Sequence, residues 1–83
     1  MNAIELQKII SVTDKKWAKT RAQAALAVIE QWENGSIQEL GQYRSQLFAC
    51  APLNELDDVS DDSELKTWLH STIDIIARNA VAK

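Results

Sequence analysis

The sequence predicts an all-α protein, a small helical bundle in one domain spanning residues 1–83, and three observations carry that expectation. Two glycines and a single proline leave few turn signals for a β fold. The β-branched residues do not alternate over any length, as half-buried strands require. Capping-box spacing occurs three times, at Asn2/Glu5, Ser36/Glu39 and Asp61/Glu64. Each box precedes apolar residues at helical period, so helix is expected over about 70% of the chain.

A short first helix, about 3–11, follows the Asn2/Glu5 box and carries Leu6, Ile9 and Ile10 at helical spacing. Ser11, Val12, Thr13 and Asp14 end it, with Thr13 or Asp14 as N-cap of the next helix. That second helix, about 14–33, is the hub. Its apolar residues, from Trp17 and Ala18 to Ile29 and Trp32, cover an arc of roughly 200°, where docking on a single neighbour needs little more than about 100°. It should therefore be touched from several sides. Asn34-Gly35 ends it, glycine being the usual residue just beyond a helix.

The Ser36/Glu39 box opens a third helix, about 37–50, antiparallel to the hub because the link is short. Its apolar face is Ile37, Leu40, Tyr43, Leu47 and Phe48, Gly41 marks a candidate close approach, and Pro52 ends it. Residues 51–60 read as an irregular connector. A last helix, about 62–81, presents Leu65, Trp68, Leu69, Thr72, Ile73, Ile76 and Ala80 on an arc of roughly 140°, flanked by Ile75 and Val81. The core expected from these stripes includes Leu26, Ile29, Leu40, Leu47, Leu69 and Ile76.

Charge is distributed unevenly beneath a net of −3. Residues 1–33 hold five basic and four acidic side chains, whereas 34–64 hold one basic and seven acidic. Glu55, Asp57, Asp58, Asp61, Asp62 and Glu64 lie within one decapeptide. The hub is charged against its own dipole, with Lys15, Lys16 and Lys19 at its start and Glu30 and Glu33 at its end. An antiparallel third helix would bring the acidic connector beside those lysines. The absence of a basic face argues against direct nucleic-acid binding through phosphates.

Cys50 is the only cysteine, so no internal disulfide forms, and a lone thiol fits a reducing cytoplasm. No signal peptide is expected from the first residues, and no apolar run approaches the ~20 residues of a membrane span.

Residues with chemical potential are few. His70, the only histidine, lies at the surface edge of its helix with no second ligand at zinc spacing. A calcium loop starting at Asp58 would place Ser63 where glycine is needed and Leu69 where a bidentate Glu is needed. No nucleophile elbow, phosphate loop or zincin motif occurs, so the expectation is a non-enzymatic protein without cofactor or metal. Nothing in the sequence pairs Cys50 with His70.

Arg21 stands on the hub's apolar face one turn after Trp17. Either its stem covers apolar surface while its head reaches water or Trp17, or Trp17, Arg21 and Ala24 form part of a binding patch. The expected function is a small cytoplasmic protein-interaction module: an adaptor, inhibitor, antitoxin or immunity-type protein of bacterial or phage style, with a homodimer among the forms it can take. The Ala-rich segment Ala22–Ala27 would let two helix axes approach to ~8 Å. The alternative is an acidic mimic of nucleic acid acting through Glu55, Asp57, Asp58, Asp61 and Asp62. A third reading is a helix-turn-helix protein with Gln38, Gln42, Arg44 and Gln46 on the reading helix, which carries only one basic residue.

Overall fold

The computed structural model describes residues 3–51 and 63–81. Four helices account for 82% of the described residues, and no strand occurs among them. They are α1 (Ala3–Val12), α2 (Lys16–Glu33), α3 (Leu40–Cys50) and α4 (Ser63–Asn79). The all-α bundle expected from capping signals and apolar periodicity is the observed architecture.

The break between α1 and α2 falls where Ser, Thr and Asp cluster, but its mechanism differs from simple capping. The Thr13 hydroxyl accepts the Lys15 N–H at 3.1 Å, a local turn that uses up the oxygen expected to cap α2. Lys15 takes the N-cap position in extended conformation, and no side-chain cap bond forms. The helix therefore starts at Lys16 instead of residue 14.

At the other end of α2, Asn34 donates its N–H to Glu30 O at 2.9 Å, and Gly35 adopts φ +89. That left-handed conformation is where glycine is favoured. The Ser36/Glu39 box does not form. The Ser36 N–H is taken by Asn34 Oδ1 at 2.9 Å, and Ile37 turns back to donate to Gln31 O at 3.0 Å. Ile37 is buried, so the chain spends residues 37–39 driving that side chain into the core before α3 begins at Leu40. Burying this isoleucine outweighs a surface cap worth ~1 kcal/mol. Gly41 marks no close approach: a Cβ there would meet nothing within 4 Å.

One apolar cluster draws buried residues from all four helices, including Leu6 and Ile9, Ala18 to Trp32, Tyr43 and Leu47, and Leu69 to Ala77. Ile29, Leu47, Leu69 and Ile76 are buried as expected, whereas Leu26 and Leu40 are only half-buried against the cluster. Phe48, placed by the sequence on the α3 face, is 40% exposed; Ala77, left off the α4 stripe, is fully buried. The hub reading holds, since α2 touches α1, α3 and α4.

Side-chain contacts fix the direction of packing. Trp32, late in α2, stacks on Tyr43, early in α3, with ring centroids 4.5 Å apart and planes within 2°. Arg21, early in α2, reaches the carbonyls of Cys50 and Ala51 at the far end of α3. The two helices thus run antiparallel, and Arg44 repeats the relationship between α3 and the end of α4. The expected proximity of the acidic connector to Lys15, Lys16 and Lys19, and the Asn2/Glu5 and Asp61/Glu64 boxes, involve positions outside the described residues.

Candidate functional site

Trp17, Arg21 and Ala24 are brought together on one side of α2. Spacings of four and three residues stack them along a single strip of helix surface. Across from them lies the C-terminal turn of α3, and between the two runs an open groove of about 600 Å³. Lys16, Trp17, Thr20, Arg21 and Ala24 line the α2 wall, and Ala49 and Cys50 line the α3 wall. Ala24 is exposed although it belongs to the wide apolar arc, because Ala18, Ala22 and Ala25 form the buried edge of α2.

Arg21 has a role that the sequence did not reveal. Its Nη1 donates to Ala51 O at 3.2 Å and, at a longer 3.4 Å, to Cys50 O. These carbonyls belong to a helix end with no basic residue in its own last turn. The guanidinium therefore supplies from α2 the cation that the negative end of the α3 dipole favours. Arg21 and Trp17 both line the α2 wall of the groove.

Trp17 is half-buried against the core, and its indole N–H is covered without a hydrogen-bond partner among the described residues. Cys50 is half-buried, and its Sγ donates to Gln46 O at 3.4 Å, a bond within its own helix. Burial pushes the thiol above its ordinary 9.0, while the Arg21 charge pulls in the opposite direction. The thiol is thus held protonated at neutral pH, which slows its reaction with electrophiles.

The other candidates fall into separate places. His70 is exposed on α4. Among the described residues, no group of three His, Cys, Asp or Glu side chains could hold a metal ion. Glu55, Asp57, Asp58, Asp61 and Asp62 lie outside the described residues. Arg44, the one basic residue on the third helix, donates through Nε to Ala77 O and through Nη2 to Ala80 O, both at 2.9 Å. No helix of the described residues is long and apolar enough to cross a membrane. Comparison with family models, with curated proteins and with solved structures found no match to this chain.

Proposed function

We propose that this protein is a non-enzymatic interaction module that presents the α2 strip of Trp17, Arg21 and Ala24 to another protein. The observation that carries the reading is the groove itself. An accessible apolar strip holding a tryptophan is bounded by an arginine already fixed in place by two backbone acceptors. Tryptophan and arginine are the residue types most enriched where binding energy concentrates, and a fixed side chain loses less entropy on binding. Adaptor, inhibitor, antitoxin and immunity-type roles in a cytoplasm are all forms of this activity. Self-association through the same strip would be its homodimeric form.

The helix-turn-helix alternative is weakened by Arg44. A reading helix needs its basic residue for phosphate, and here that residue is spent on the carbonyls ending α4. The acidic-mimic alternative keeps its motivation in the acid-rich decapeptide 55–64.

A photo-crosslinking residue at exposed Ala24, compared with one at exposed His70 on α4, tests the reading in cells of the source organism. The expected result is a discrete adduct from position 24 that is absent from position 70 and lost in Trp17→Asp. Equal adducts from both positions, or none from position 24, would overturn it.

A further inference from the structure

Resting on that reading, we propose that the partner on the α2 strip is a second copy of this chain, docked antiparallel through α2. The helix carries two stripes at coiled-coil spacing. Ala18, Ala22, Ala25, Ile29 and Trp32 recur at alternating intervals of four and three residues, and all are buried in the core. Trp17, Thr20, Ala24, Ala27 and Gln31 repeat that rhythm on another side of the helix. Trp17 is half-buried and the other four are exposed, so the second stripe starts in the groove and runs on along the surface. Such spacing suits a helical neighbour, and the small central residues let two axes approach to ~8 Å.

Charge beside that stripe selects both the partner and its direction. Lys16, Gln23 and Glu30 are exposed and stand seven residues apart, so they form one row along its flank. Among the described residues, no hydrogen bond or ion pair holds the Lys16 ammonium or the Glu30 carboxylate. Both are misplaced on their own helix, with a cation at the positive end of the dipole and an anion near the negative end. A twofold axis crossing α2 near Gln23 turns the row onto itself, so that Lys16 faces the partner's Glu30 and Glu30 faces the partner's Lys16. The two helix dipoles then oppose each other as well. In the same register Trp17 rests on the partner's Ala27 and Thr20 on the partner's Ala24, large against small. A parallel pair brings the lysine-bearing ends together and is disfavoured. Arg21 keeps the carbonyls that end α3 and takes no part in the charge pairing.

Sedimentation equilibrium from low to high micromolar concentration reads the association in four chains: the parent, Lys16→Glu, Glu30→Lys and the double variant. The parent is expected to dimerise, and to do so less at high salt. Each single substitution sets like charges together at both ends of the pair and should raise the dimer Kd by about tenfold. The double variant restores opposite charges and should return to within about threefold of the parent. Each reversal also suits the α2 dipole, so thermal stability at low concentration should not fall, which separates lost pairing from lost folding. Direction is read in a Cys50→Ser background with a short bismaleimide. Gln23→Cys, beside the axis, should link to its own copy at least about tenfold faster than Lys16→Cys, whose two copies lie about 20 Å apart along the helices.

A monomeric parent across that range, a double variant no tighter than the singles, or equal linking at positions 16 and 23 would overturn the proposal. A photo-adduct from position 24 with a different protein, alongside a monomeric parent, removes the second copy alone and leaves the interaction module standing. No adduct of either kind from position 24 removes both.

Discussion

The Trp68 indole N–H donates to the Glu5 carboxylate at 2.8 Å, joining α4 to α1 across 63 positions of sequence. This bond explains why a tryptophan belongs at the margin of the α4 stripe. Its ring covers the core from the side, and its one polar atom is satisfied at the boundary by a partly exposed acid. α1 is only ten residues long and far too short to be helical alone, so its order depends on such docking.

The first prediction concerns this pair. Trp68→Phe keeps most of the apolar ring and removes the donor, and Glu5→Gln keeps an acceptor without its charge. A double-mutant cycle measured by denaturation should give a coupling of about 1 kcal/mol, the scale of a charge-assisted bond in partial contact with water. Coupling near zero would mean that Glu5 is held to Trp68 only incidentally.

Arg44 and Arg21 perform one task at two helix ends. Each reaches from the preceding helix to the last carbonyls of the next, so each junction receives a cation and donors that the sequence near it lacks or supplies only in part. Arg44→Met, which preserves the stem, should cost about 2–3 kcal/mol because two charge-assisted bonds to the end of α4 disappear. Arg44→Lys should rescue less than half of that, since one ammonium cannot reproduce a planar fork held by two acceptors. Thermal unfolding of both variants, with amide exchange in residues 76–81, separates loss of the cap from general destabilisation.

These arginines show where sequence reading stops. Apolar periodicity fixed the order of helices, the hub and the buried stripe Leu69, Ile73 and Ile76, because those depend on 3.6-residue spacing alone. α2 and α3 start later than the capping pattern predicts because Thr13 and Asn34 bind N–H groups two residues onward in local turns, which that pattern cannot distinguish. Phe48 and Leu26 belong to faces wide enough that only the actual neighbours decide which edge is covered. Arg21 stands out in the sequence because it interrupts an apolar face. Its acceptors lie 29 and 30 positions away, and local pattern does not encode contacts of that range.

Tyr43 is the only tyrosine, so its ionisation can be followed by absorbance without interference. Burial beneath the Trp32 stack, and secondarily the Glu33 charge, raise its phenol above the ordinary 10.0. A raised phenol favours the neutral form in the folded state. The linked stability is therefore fully present below the unfolded value near 10 and is lost as pH rises through the folded value. Tyr43→Phe keeps the stack and should resist alkaline unfolding better than the parent protein. Spectrophotometric titration of the native protein should give a midpoint above 10.0, the ordinary value of the phenol.

The Cys50 thiol offers a second titration with an opposing pair of causes. Desolvation raises it and the Arg21 charge lowers it, with desolvation the larger. Arg21→Gln removes the lowering influence, so the thiol should move further up and alkylate more slowly at a given pH near 8. The pH dependence of N-ethylmaleimide labelling, compared between parent and Arg21→Gln, reads this directly. A shift downward would mean that the substitution had opened the groove to water instead of removing a charge.

The two glycines should respond to alanine with opposite signs. Gly35 stands at φ +89, a conformation that costs an L-residue roughly 1–2 kcal/mol, even though a Cβ there would touch nothing within 4 Å. Gly35→Ala should destabilise by about that amount, purely through the backbone. Gly41 lies in the first turn of α3 with ordinary helical φ, and its Cβ would also point into open space. Alanine there restricts the unfolded chain at no native cost. Gly41→Ala should therefore stabilise, toward the low end of about 0.5–1 kcal/mol because helix propensity counts for less in a first turn. Chemical denaturation of the two variants under one set of conditions compares them against the same unfolded state. A destabilised Gly41→Ala would mean that another chain surface packs against α3 at that position in solution, which would identify the start of α3 as a contact face.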